Sequence, residues 1–194
     1  MKRRTLLRAA AAALATTPLA SPLRARAATP VRVVVVGGGW GGLAAARQLR
    51  EAAPHLEVTL LERSAEFRSQ ALSNRWLVGL APEAWLRHDI RQAAQRVGYR
   101  FVATEVIAID RGARRVDTAA GVFAYDWLIL APGVREDFSA WYGDDRDAAA
   151  FTRKHFGSAF AAAADQVALK ARLEKFAGGD LVMTIPPMPY RCPP

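Results

Sequence analysis

Gly37-Gly38-Gly39-Trp40-Gly41-Gly42 sets Gly37, Gly39 and Gly42 at GxGxxG spacing. Each of the three has a separate physical use. The first permits a tight turn out of a strand, the second lets the backbone approach a pyrophosphate, and the third lets a helix pack closely on the strand before it. A helix opening here offers unpaired N–H groups and the positive end of its dipole, which suit phosphate oxygens. The spacing gains force from its surroundings. The β-branched run Val31 to Val36, broken only by Arg32, precedes the glycines, and Glu62 lies 20 residues beyond Gly42. An acid at the end of the second strand of such a unit accepts the ribose hydroxyls of an adenosine. Arg63 is in reach of a 2′-phosphate or a pyrophosphate, although a solvated charge is the simpler reading.

Other reactive side chains are sparse. Cys192 is the only cysteine, so no intrachain disulfide can form, and no CxxC, CxxCH or His/Cys metal pattern is present. On the residues alone Cys192 is an ordinary free thiol. Arg191 beside it favours the thiolate, and the flanking prolines stiffen its loop. His55, His88 and His155 are scattered and read as surface or helix histidines. Trp76, Trp85, Trp127 and Trp141 read as core or interface residues, and Asp144-Asp145 as a solvated turn.

The elements that must position these groups alternate. Val31 to Val36 reads as a strand buried on both faces of a parallel sheet. Leu43 to Ala53 reads as a helix stopped by Pro54, and Glu57 to Glu62 as the second strand, which completes a βαβ unit. Pro82 to Val97 is predicted as one helix with Gly98 as its C-terminal stop. Short strands follow over Phe101–Asp110, Arg115–Thr118 and Phe123–Leu130, parted by turns at Arg111-Gly112 and Ala120-Gly121. Ser139 to Asp147 reads as a polar loop, Ser158 to Phe176 as a helix, and Leu181 to Ile185 as a further strand. The expected class is α/β, a Rossmann-like domain with a small antiparallel insert over 28–150, then over 151–194 a linker helix and the first strand of a second domain.

The formal net charge of +9 does not indicate nucleic acid, because Lys2, Arg3, Arg4, Arg8, Arg24 and Arg26 crowd a leader without acids and the remaining charge is mixed. Residues 1–27 read as a signal peptide: a charged start, a dilute alanine-rich run, and Ala25-Arg26-Ala27 at a small-x-small cleavage site. The run is too short and too weakly apolar to span a membrane, which takes about 20 apolar residues. Arg3-Arg4-Thr5-Leu6-Leu7-Arg8 resembles a twin-arginine export signal, which this leader fits better than an ordinary Sec signal. The expected location is the periplasm.

GxGxxG with a distal acid does not separate FAD from NAD. Tyr125 to Gly133, with its Ala131-Pro132-Gly133 ending, resembles the apolar strand and Ala-Thr-Gly turn that close the FAD half of two-dinucleotide-binding-domain flavoproteins, with Pro132 in place of threonine. Ala71-Leu72-Ser73-Asn74 and the ending Pro186-Pro187-Met188-Pro189-Tyr190-Arg191-Cys192-Pro193-Pro194 narrow the resemblance further. From about Val31 to Pro194 the chain resembles the flavoprotein subunit of flavocytochrome c sulfide dehydrogenase, within the FAD-dependent pyridine nucleotide-disulfide oxidoreductase-like family. The resemblance implies FAD as cofactor. It implies Gly37, Gly39, Gly42, Glu62, Arg63, Ser73, Asn74, Val106, Ala131, Pro132 and Gly133 as its contacts. It also implies sulfide or another reduced sulfur compound as substrate and a c-type cytochrome subunit as electron acceptor. Cys192 would be the catalytic residue, one half of a redox disulfide that sulfide attacks by thiol–disulfide exchange.

Two departures from that family shape the expectations. The family carries a cysteine just ahead of its Leu-Ser-Asn element that binds FAD covalently; here the position is Gln70, so any FAD should be held non-covalently. The partner for Cys192 and most of the second domain are not found in these 194 residues. The chain on its own is therefore expected to lack sulfide turnover. A membrane-associated sulfide:quinone oxidoreductase and a catalytically silent FAD-binding fragment are the alternatives.

Overall fold

The computed structural model describes residues 29–134, 137–156 and 163–184. Its centre is a four-stranded parallel sheet in the order β5-β2-β1-β9, formed by β1 (Arg32–Val36), β2 (Glu57–Glu62), β5 (Arg100–Ala103) and β9 (Trp127–Leu130). β1 pairs with β2 through Val33↔Val58 and Val35↔Leu60, and with β9 through Val34↔Leu128 and Val36↔Leu130. A strand alternates its side chains between the two faces of its sheet, and here both faces are covered. Val33, Val35, Val58 and Leu60 pack under α1 (Trp40–Ala52) and α3 (Ile90–Val97), against Ala46, Ile90, Ala94 and Tyr99. Val34 and Leu61 pack on the other side against Val116 and Tyr125. The second layer there is the antiparallel sheet of β6 (Val106–Asp110), β7 (Arg115–Thr118) and β8 (Gly121–Ala124). The continuous apolar run of β1 thus follows from burial on two sides, and the α/β class with an antiparallel insert is what the structure has.

A two-stranded ribbon, β3 (Glu66–Arg68) with β4 (Arg87–Asp89), flanks the helical side, and α2 (Ser73–Leu77) lies in the excursion between its strands. α6 (Ala163–Glu174) packs back on that excursion, where Leu169 and Leu173 meet Trp76, Leu77, Ala81 and Leu86. Lys170 Nζ donates to the Trp76 carbonyl at 3.1 Å and sits over the Trp76 ring, which the Arg68 guanidinium also faces.

Several sequence expectations give way to tertiary structure. The expected helix over Pro82–Val97 is a single 3₁₀ turn at Glu83–Trp85, then β4, then α3. Asp89 starts α3 late because its carboxylate accepts the amides of Arg91, at 2.7 Å, and Gln92. Gly98 ends the helix at φ 87°, as expected. Phe101–Asp110 is two strands rather than one, and so is Phe123–Leu130. Each apolar run leaves one sheet and enters the other, at Thr104-Glu105 and at Tyr125-Asp126, and periodicity does not mark such a crossing. Ser139–Asp147 is not a loop. It contains α4 (Ser139–Tyr142) and the start of α5 (Arg146–His155), which Asp145 caps through the Ala148 amide at 2.9 Å. The expected domain boundary at 150 therefore falls inside a helix. Residues 181–184 form no strand, and Leu181, Val182 and Met183 are exposed. A strand needs a neighbour for its hydrogen bonds, and no described residue supplies one. Of the four tryptophans read as core or interface residues, Trp76 is in the core, and Trp85, Trp127 and Trp141 are exposed, which leaves only the interface reading for those three. Among the described residues no helix is long and apolar enough to cross a membrane. The leader, Ile185 and Cys192 lie outside the described residues.

Candidate dinucleotide-binding site

The glycine loop sits at the carboxyl end of β1, where the chain turns into α1. Gly37 takes φ 106°, a region that side chains rarely adopt, and its N–H donates to the Leu61 carbonyl at 2.8 Å. A Cβ built on Gly37 would lie 2.1 Å from the Ala131 carbonyl oxygen, and one on Gly42 would lie 1.8 Å from the Gly37 oxygen. These two glycines let three backbone segments, β1, α1 and the end of β9, share one point. Gly39 differs, since apart from its chain neighbours nothing stands within 4 Å of the place its Cβ would take. The open space is at the N-cap of α1, and the first intrahelical bond runs from the Leu43 amide to the Gly39 carbonyl. The amides of Trp40, Gly41 and Gly42 precede that bond and have no acceptor within the helix.

Glu62 closes the site from the neighbouring strand. Its Oε2 accepts the Gly38 amide at 2.8 Å and its Oε1 accepts the Ser64 amide at 3.1 Å. A carboxylate has about four acceptor positions, so two hydrogen bonds orient this one and leave it capacity for two hydroxyl donors. Gly38 is a site residue that the spacing rule passes over. A Cβ on it would meet Glu62 Cγ at 2.7 Å and Ile90 Cδ1 at 3.0 Å. The sequence signal was that Gly38 is the middle one of three consecutive glycines. On the other flank, the Ala131 amide donates to the Val36 carbonyl at 2.8 Å and Gly133 takes φ 76°. Arg32 and Asp126 hold that flank in register: Asp126 Oδ2 accepts the Arg32 backbone amide at 2.8 Å, and the two side chains pair at 3.3 Å. The guanidinium beside it keeps the Asp126 carboxyl below the usual range.

The structure thus brings Gly37, Gly39, Gly42, Glu62, Ala131 and Pro132 together. Arg63 is exposed beside them. Val106 opens β6 and packs, half-buried, against the second core. Ser73 and Asn74 make their bonds within their own turn. Ser73 is fully buried and donates to the Gln70 carbonyl at 2.7 Å, and Asn74 accepts the Arg75 amide. Among the described residues, no three His, Cys, Asp or Glu side chains cluster as a metal site. An open cradle at a helix N-terminus and an oriented carboxylate with spare acceptor positions fit the diphosphate and ribose of a dinucleotide.

Comparison with known proteins places this geometry. A type II NADH:quinone oxidoreductase of Staphylococcus epidermidis is 30% identical over 110 residues, covering 55% of this chain and 27% of the relative. A sulfide-quinone reductase of Aquifex aeolicus is 27% identical over 124 residues, covering 63% of this chain and 29% of the relative. The solved sulfide:quinone oxidoreductase of Aquifex aeolicus superposes with a TM-score of 0.64 at 23% identity, over 75% of this chain and 32% of that one. The NDH2 structure from Plasmodium falciparum gives 0.58 at 16% identity, over 76% and 30%. The chain spans about a third or less of the length of each. The sequence pattern of the pyridine nucleotide-disulphide oxidoreductase family matches residues 31–175, through the glycine loop, Glu62 and both sheets, and the chain belongs to that family.

Proposed function

We propose that this chain carries the FAD-binding part of an exported oxidoreductase that takes electrons from sulfide and passes them to a c-type cytochrome. The observation that carries a dinucleotide here is the pairing of the open Gly39 cradle with the oriented Glu62 carboxylate, and FAD is preferred to NAD on the family and on the resemblance of Tyr125 to Gly133 to the segment that closes an FAD-binding half. In this reading the amides at the start of α1 hold the diphosphate and Glu62 receives the adenosine ribose hydroxyls. Ala131, Pro132 and Gly133 form the opposite wall. FAD, when bound, would supply a two-electron acceptor able to release electrons singly. Gln70 has no sulfur for a thioether link, so the cofactor is held non-covalently. Cys192 is assigned the sulfur chemistry on the family resemblance. Export rests on Arg3-Arg4 and on cleavage after Ala27.

A quinone acceptor is the second reading, and the sulfide-quinone reductase of Aquifex aeolicus favours it. A version that also supplies the second domain and a partner cysteine, with bound flavin quantified, separates the readings when supplied with sulfide and either cytochrome c or a soluble quinone, whereas these 194 residues alone should show no sulfide turnover. Cytochrome c reduction that Cys192→Ser abolishes, at unchanged flavin content, is the expected result. Quinone reduction alone would move the acceptor to the second reading. Turnover with NADH and none with sulfide would overturn the substrate assignment.

A further inference from the structure

Trp40 stands between Gly39 and Gly41 at the first turn of α1, and its side chain is 62% exposed. Neither sequence neighbour has a side chain to cover the indole. Its orientation is nevertheless held. The ring packs edge-on against Phe67 at a centroid distance of 5.1 Å and an interplanar angle of 83°, and Phe67 stacks in turn on His88 at 6.0 Å. Phe67 and His88 are cross-strand partners in the β3–β4 ribbon, which the Arg87–Glu66 ion pair at 2.7 Å and the Ile90 amide to Ala65 carbonyl bond fasten. The segment that presents Phe67 also contains Ser64, whose amide orients Glu62. One stretch of chain therefore orients both the carboxylate that bonds Gly38 and the indole of the residue that follows Gly39.

We propose that Trp40 is a positioning residue of the dinucleotide site, an inference that rests on the FAD reading above. The indole face left open by Phe67 is the wall against which the sugar–diphosphate segment of bound FAD lies. Its physical effect is to keep water from the phosphate–amide hydrogen bonds, which strengthen as the local dielectric falls. A wall fixed in advance adds no ordering cost on binding. Its loss should therefore act mainly on release of the cofactor.

The test uses the 194-residue chain and FAD, with Trp40→Ala and Trp40→Phe as variants. Trp40→Ala should raise the FAD dissociation constant about tenfold, chiefly through faster release. Trp40→Phe should recover most of the loss. FAD should quench one tryptophan lifetime component strongly in the parent chain, and that component should be missing from Trp40→Phe even at full occupancy. The urea midpoints of the variants control for folding. FAD affinity unchanged in Trp40→Ala, or an unchanged lifetime pattern in FAD-saturated Trp40→Phe, would overturn the proposal and leave the FAD reading standing. Failure of the parent chain to bind FAD would overturn both.

Discussion

Gly39 and Gly42 belong to one motif, yet the structure assigns them opposite consequences when each is changed to alanine. A methyl at 42 would sit 1.8 Å from the Gly37 carbonyl oxygen and 2.9 Å from its carbon. Real Cβ contacts begin near 3.0 Å, so α1 and β1 must part by about 1.2 Å. Backbone lies on both sides and no flexible side chain can absorb the shift. The separation would open the contact beneath, where Ala46 and Val35 are fully buried in the first core. Overpacking a tight core costs about 1–3 kcal/mol, and a backbone clash belongs at the upper end. That is a large share of the ~5–15 kcal/mol by which a domain of this kind is stable. At 39 nothing but its chain neighbours lies within 4 Å and the backbone is extended, at φ −79°, so alanine fits and stiffens the unfolded chain, a gain of about 0.4–1 kcal/mol. Its methyl instead occupies the cradle. Displacing the diphosphate from one amide removes a charge-assisted bond worth about 1.5–3 kcal/mol, or roughly 10- to 150-fold in FAD affinity. Urea denaturation followed by far-UV circular dichroism reads the first quantity and FAD titration the second. A Gly42→Ala chain as stable as the parent, or a Gly39→Ala chain that binds FAD as tightly, would refute this division of labour.

Asp126 has its carboxyl held below the usual range by Arg32. Its contribution to stability is thus present above the unfolded value of about 3.9 and lost as pH falls through the folded value. Asp126→Asn should flatten the pH dependence of stability below about pH 4, and an unchanged acid limb in urea melts would exclude the linkage. The Tyr99 hydroxyl is buried without a hydrogen-bond partner among the described residues, and burial raises its pKa. Tyr99→Phe should leave stability equal or raise it by about 1 kcal/mol, whereas a loss of that size would reveal a hidden partner. Because Gln70 stands where the resembling flavoproteins carry their linking cysteine, acid precipitation of the FAD-loaded protein should leave yellow flavin in the supernatant; colour in the pellet would contradict this. Replacing Arg3 and Arg4 by lysine should stop export if the route is twin-arginine, and N-terminal sequencing of the exported chain should begin at Ala28; unchanged export would point to Sec.

What the sequence determined by itself is local and covalent in origin. The order β1, glycine loop, α1, β2 and Glu62 was legible because each step has a residue-level cause. β-branched residues fill a doubly buried strand, glycines stand where a Cβ cannot, and an acid ends the second strand. The stop at Gly98 was legible for the same reason. What only the tertiary structure decided is where one apolar run serves two sheets. Phe101–Asp110 and Phe123–Leu130 each break at a residue bonded across the fold: Thr104 through its amide to the Glu62 carbonyl, and Asp126 to Arg32. Partners so far apart in the chain leave no periodic trace in it. The same holds for Gly38, excluded from any larger side chain by Glu62, and for Trp40, whose orientation depends on Phe67 and His88. A side chain's type limits what it can do, and its neighbours from distant segments determine whether it does so.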